Sequence, residues 1–217
     1  MATTMIGQGL YDAAEVSRLG GIPADRVVRW SNGSSNGNAI LTPTFDPMFA
    51  FADLVSGRVA QDLHTRGVTD RDLRHGVETL RERTGLDRPF AKREIIDTLA
   101  TSGRSFLAWE GGEYVDVGKG RQGVFQEVIA ISLKLIRFSD SGTPEQWCPF
   151  DGVVLDPTIQ AGAPCVLGTR VPTATVAALL DGADATEVAW DLDLAIEAVN
   201  VAEQFEQLLA QGAGLPA

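Results

Sequence analysis

The sequence predicts a mixed α+β fold that is mainly helical: an N-terminal winged helix-turn-helix, a small β-containing middle segment and a C-terminal three-helix unit shaped like a second helix-turn-helix. Three observations predict it. Short capped helices meet at glycine turns near both ends of the 217-residue chain, the apolar period changes from helical to alternating near Arg104, and turn-rich "DSGTPEQWCPF" precedes a return to short strands and helices. These features divide the chain at 1–100, 101–150 and 151–217.

In "YDAAEVSRLGGIPADRVVRWSNGSSNGNAIL", Asp12 can cap a helix through Leu19, Glu15 completes a capping-box-like pair, and Gly20-Gly21 ends the helix. Pro23 suits the first turn of a second short helix. Ser17, Gly21 and Val27 have the spacing at which two helices cross closely at a bend. Asn32-Gly33 and Asn36-Gly37 signal turns around a polar loop, the pattern of a wing. Phe51, Leu54, Val55, Val59 and Leu63 then recur at helical spacing up to Arg66-Gly67, and Thr69 caps a further helix with Leu73, Val77 and Leu80 on its inner stripe. Arg58, Arg66, Arg71, Arg74, Arg81 and Arg83 fall outside these stripes, as a solvated face.

"RSFLAWEGGEYVDVGKGRQGVF" reads as a hairpin turning at Gly111-Gly112, with another strand or loop at Gly118 to Gly123, and Val124 to Ile136 as an apolar helix. Beyond the turn-rich boundary, Val153 to Leu155 and Cys165 to Leu167 are strand signals. Thr173 is placed to cap a helix ending near Gly182, and Ala185 to Leu192 and Leu194 to Leu209 give two more.

The net charge of −11 is unevenly distributed. Residues 1–100 carry 12 Lys/Arg against 13 Asp/Glu, whereas residues 151–217 carry 1 against 10. Phosphate would be repelled by the rear segment, while a nearly neutral front can still present a basic face. Arg26 and Arg29 are expected to project away from the Val27/Trp30 side of the second helix. With Arg18, Asn32, Ser34 and Ser35 they form the candidate DNA contacts, and the rear unit is expected to fold separately and bind protein. Cys148 and Cys165 stand alone and His64 and His75 read as partly exposed helix residues, so neither metal nor cofactor is expected. There is no nucleophile elbow or phosphate-cradling loop, and Gly118-Lys119-Gly120 lacks the context of a Walker motif, which argues against an enzyme. Met1 to Leu10 has no leader-like pattern and no apolar run is long enough to span a bilayer, so a cytoplasmic location off the membrane is expected.

Tyr11, Gly21, Arg26, Arg29 and Trp30 carry a resemblance to the winged helix-turn-helix of the MerR group of transcription regulators. Asp156, Pro157, Gly162, Pro164, Gly168, Thr169, Arg170 and Pro172 carry another, to a small bacterial domain of unknown function typically encoded beside a PIN-like ribonuclease toxin. Together the two resemble the larger VapB-type antitoxins of actinobacteria. That resemblance implies an antitoxin that silences a cognate PIN-domain ribonuclease and represses its own operon by binding operator DNA, with a homodimer as the usual form. Small VapB antitoxins commonly end in an arginine-bearing tail, which "QGAGLPA" is not, so the neutralising contact would come from folded surface.

A rival reading is a stand-alone transcription regulator in which Trp109, Tyr114 and Trp147 build an aromatic pocket for a small ligand. Two readings of Arg170 also stand. It reaches into the toxin's carboxylates, or it is held at home by Asp191 or Asp193, bridging a turn and a helix end bidentately.

Overall fold

A computed structural model describes residues 5–33, 39–102, 107–110, 113–116 and 135–212, with the backbone alone described at 98–102, 107–110 and 113–116. Ser34, Ser35 and the centre of the expected wing lie outside the described residues. So do Gly118 to Gly123, most of the expected helix from Val124, the side chains of Trp109 and Tyr114, and the last five residues.

The chain opens with α1 (Ala13–Gly20), whose capping box forms as its residue types dictate: Glu15 N donates to Asp12 Oδ1 and Asp12 N to Glu15 Oε2, both at 2.8 Å. Gly21, at φ 63°, turns the chain, and Ser17 Oγ donates to Ile22 O at 2.6 Å across the bend. Next come α2 (Ala24–Ser31), α3 (Phe51–Thr65), α4 (Asp70–Thr84), a 3-10 turn at Pro89–Ala91 and α5 (Arg93–Ser102). Thr69 caps α4 by accepting from Asp72 N. Leu107–Glu110 (β1) and Glu113–Asp116 (β2) form the expected antiparallel hairpin, Trp109 opposite Tyr114.

The stretch expected to be a boundary is instead a strand. β4 (Pro144–Phe150) lies between β3 (Ile136–Phe138) and β5 (Val153–Leu155), and β6 (Cys165–Val166) completes an antiparallel sheet of order β3-β4-β5-β6. Pro144 and Pro149 mimic loop chemistry, but β4 is irregular where they fall, with register shifts on both sides. Ile136, expected to finish a helix, starts β3 opposite Trp147.

The rear segment is not a separate core. α6 (Thr173–Leu180) and α7 (Ala185–Asp191) both pack against α8 (Ile196–Ala210), and Val166, Val176, Val188, Val199 and Ala202 form a small cluster among them. Val153, Leu155, Phe205 and Leu209 belong to the larger cluster that also holds Tyr11, Trp30, Leu54, Phe90 and Trp147. The sheet and the main core therefore cross residue 150, and a fragment of 151–217 would lose the strand that pairs with β5.

Asp156, at the end of β5, pins this crossing. Its Oδ2 accepts from Gln146 Nε2 of β4 at 2.7 Å, and its Oδ1 from Thr158 N and Oγ1 at 2.8 and 2.6 Å. Partial burial alone would raise the Asp156 pKa, but these hydrogen bonds outweigh it and hold the carboxyl below the usual range. The contribution of a carboxylate with a depressed folded pKa is present above its unfolded pKa and is lost as pH falls through the folded one. Asp156→Asn is thus expected to melt below the parent near neutral pH. The difference should shrink as the pH falls below the ordinary aspartate range, measured by thermal melts across acid pH; a constant difference refutes the role of charge.

Candidate functional site

The front bend carries the residues predicted to touch DNA, and the structure treats them unequally. Arg18 at the end of α1 and Asn32 after α2 are exposed. Arg29 is exposed as well, but its Nη1 pairs with Asp25 one turn earlier and its Nε lies 3.8 Å from Asp70 Oδ2. Arg26 does not project away from Trp30. Its guanidinium carbon lies 5.8 Å from the Trp30 ring centroid and its Nη1 donates to Gln61 Oε1 of α3 at 3.0 Å, so it brings α2 onto α3. The helix is short and Trp30 is fully buried beside it, which leaves the long arginine stem more contact folded back than extended. Val28 is the exposed apolar residue on this surface.

Several arginines expected on a solvated face are structural. Arg74 from α4 donates to Arg29 O and Asn32 O, so it caps the C-terminus of α2. Arg81 donates to Ala39 O, Thr42 Oγ1 and Asp87 O at 2.7, 3.1 and 2.9 Å. Arg58 is buried beside Asp62, 3.1 Å away. Asp70 collects Trp30 Nε1 at 3.0 Å and lies 3.3 Å from His64 Nδ1, so the partly exposed His64 belongs to the junction of α2, α3 and α4.

The rear unit presents the opposite field. Arg170 is exposed, and no ion pair joins it to Asp191 or Asp193. Its backbone carbonyl instead accepts from Gln160 Nε2 at 3.1 Å. Asp193 sits at φ 52° in the turn between α7 and α8, and both carboxylates face solvent. High dielectric there makes a distant bidentate pair worth little against the side-chain entropy it costs. Thr173 is not the cap of α6: Pro172 occupies that position, and the buried Thr173 hydroxyl donates to Glu206 of α8 at 2.5 Å. Trp147, offered for a ligand pocket, is 3% exposed within the main core.

Sequence reasoning missed Trp190. It is 87% exposed on α7, because Val188 and Ala189 turn their sides of the helix inward. It lines a shallow surface hollow with Ala183, Thr186, Glu187 and Asp191. An indole between acids, off the apolar stripe, was the available signal. Asp184 caps this helix by accepting from Thr186 N and Glu187 N at 2.8 and 3.0 Å, hydrogen bonds that lower its pKa. Both cysteines are free, and burial raises their pKa values, so they stay thiols. Among the described residues no cluster of His, Cys, Asp and Glu is placed to hold a metal, and no helix is long and apolar enough to cross a membrane.

The two ends are tied together. Tyr11 Oη donates to Gly162 O at 2.8 Å and Leu10 N to Ala161 O at 2.8 Å. Burial, reinforced by the charge of Glu15 and Asp156, pushes the Tyr11 pKa far up, so the hydroxyl keeps its proton.

Comparison with known proteins gives a similarity in sequence and one in fold. The chain is 26% identical, over 91% of its length and 90% of the relative's, to a Mycobacterium tuberculosis protein described as uncharacterized protein Rv2308. The crystal structure of Rv2018 from Mycobacterium tuberculosis superposes with a TM-score of 0.62 at 22% identity, covering 88% of this chain and 96% of that one, and so shares the fold. Residues 153–205, from β5 into α8, match the family described as "Protein of unknown function (DUF433)".

Proposed function

We propose that the chain is an antitoxin. In this reading its rear surface binds and neutralises a cognate PIN-domain ribonuclease, and its front bend, working in a homodimer as a winged helix-turn-helix, binds operator DNA to repress its own operon. The carrying observation is the separation of two surfaces on one folded chain. Arg18, Arg29 and Asn32 are exposed around the α1–α2 bend, while α6–α8 expose carboxylates and Trp190 with no Lys or Arg after Arg170. A field of that sign repels phosphate, so the rear unit suits a protein partner and leaves the front bend for DNA. The antitoxin resemblance read from the sequence supplies the partner's class, and the match of residues 153–205 falls on the segment that carried it.

The test pairs two assays on the full chain. In gel shifts with duplex from upstream of its own gene, Arg18→Ala/Arg29→Ala is expected to weaken binding at least tenfold, at ~1–3 kcal/mol per contact to a base edge. Its salt dependence should also flatten. Arg26→Met, which keeps the stem over Trp30, should bind within a few-fold of the parent. Unchanged affinity in the Arg18/Arg29 variant removes the DNA assignment. The product of the adjacent reading frame, assayed as a ribonuclease, should be inhibited by the parent chain; an active or absent ribonuclease removes the antitoxin assignment.

A further inference from the structure

We infer that the hollow around Trp190 is a seat for an arginine side chain of a protein partner. The inference rests on the reading of the rear unit as protein-binding and names what that surface recognises. α7 places three groups together: the Trp190 indole, almost fully in water, Glu187 one turn earlier on the same side, and Asp191, all lining one hollow with Ala183 and Thr186. The Asp191 carboxylate meets no cation or hydrogen-bond donor among the described residues.

Charge decides the occupant. From Val171 to the end the sequence has eight acids and no Lys or Arg, so an anionic or merely apolar ligand would add to an uncompensated negative field or leave it in place. A guanidinium answers both halves of the hollow. Its flat face stacks on the indole, and its edge N–H groups reach carboxylates on either side, which a compact ammonium cannot do at once. The other lining residues, Ala183 and Thr186, are small and leave room for the arginine stem beside the ring. Helix α7 is held by the Asp184–Glu187 capping box, in which Glu187 Oε2 accepts from Asp184 N at 3.4 Å, and by Val188 and Ala189 against α6 and α8, so the seat, Glu187 included, is in place before a partner arrives.

The test uses the full chain and labelled, end-blocked alanine-based peptides lacking tryptophan, carrying Arg, Lys, citrulline or Glu at helical spacing, read by fluorescence anisotropy. The arginine peptide is expected to bind best. Citrulline, which keeps the plane and loses the charge, should bind about tenfold more weakly, as should the arginine peptide to Trp190→Ala. Glu187→Gln/Asp191→Asn, which preserves the helix cap, should weaken binding and flatten its salt dependence. Equal binding of arginine and citrulline peptides, or an unchanged Trp190→Ala, overturns the proposal. So does binding of a single-stranded oligonucleotide that Trp190→Ala abolishes, or self-association of the chain that Trp190→Ala breaks. No ribonuclease enters these measurements. A chain that binds the arginine peptide but inhibits no toxin loses the antitoxin reading and keeps the seat, and the opposite result does the reverse.

Discussion

Asp53→Ala is expected to destabilise the chain by about 3–5 kcal/mol, the range for removing one member of a buried ion pair and leaving the other uncompensated. Asp53 lies in the first turn of α3 and is 1% exposed, yet its carboxylate is fully employed. Oδ2 accepts from Thr44 N at 2.9 Å, Thr44 Oγ1 at 2.6 Å and Ala50 N at 2.8 Å, and Oδ1 pairs with Arg88. One side chain thus closes the loop before α3, caps α3 itself and anchors the segment after α4. Alanine orphans three donors and leaves the partly buried Arg88 guanidinium with only the exposed Asp87 carboxylate, 4.0 Å away. At roughly 2–4 °C per kcal/mol for a chain of this size, the midpoint should fall by about 10 °C. A double-mutant cycle with Arg88→Ala isolates the pair: the double variant should lose less than the sum of the singles. A single variant that melts within about 1 kcal/mol of the parent would show the network to be dispensable.

Gly162→Ala is expected to be comparably damaging for a steric reason. Gly162 sits at φ 89°, where a side chain is already strained, and a β-carbon there would lie 2.2 Å from Tyr11 Oη and 2.9 Å from Tyr11 Cζ. The hydroxyl cannot step aside, because it is buried and bonded to Gly162 O. Left-handed strain of about 1–3 kcal/mol adds to an overpacking cost of similar size. Tyr11→Phe alone should cost about 1–2 kcal/mol, since the Gly162 carbonyl loses its donor. In the Gly162→Ala background the same change should recover stability, because it removes the nearest clashing atom. Urea titrations of the four proteins check this; strict additivity would mean that the two residues do not meet in solution.

Legibility in the sequence followed the range of the interaction. The Asp12–Glu15 box, the Thr69 cap and the Gly21 turn each close within five residues, so residue type and spacing sufficed to place α1, the bend and α4. Strand β4 was hidden because Pro144 and Pro149 look like loop residues and its strand character comes from β3 and β5 on either side. The arginines failed as a class for the same reason. Whether Arg26, Arg74 or Arg81 faces solvent depends on Gln61, on the end of α2 and on the loop near Thr42, all 35 to 45 residues away. The Arg170 pairing assumed that proximity follows from an excess of acids, whereas those acids point outward from different turns. Trp190 was overlooked because a lone aromatic in a helix is ordinarily assigned to the core, and only the inward register of Val188 and Ala189 shows that it is not.

The bond between Tyr11 and Gly162 spans 151 positions, and it sets an order of events during synthesis. When α1 to α4 have left the ribosome, Tyr11 still has no partner for its hydroxyl, and the core around it lacks Val153, Leu155, Phe205 and Leu209. Helical bends form in microseconds from local contacts, but closure of the core waits for chain made many seconds later at about 5–20 residues per second. Until then the apolar core around Tyr11 stays partly open, so a nascent chain halted before residue 153 is expected to expose to chaperones and proteases surface that the finished protein seals.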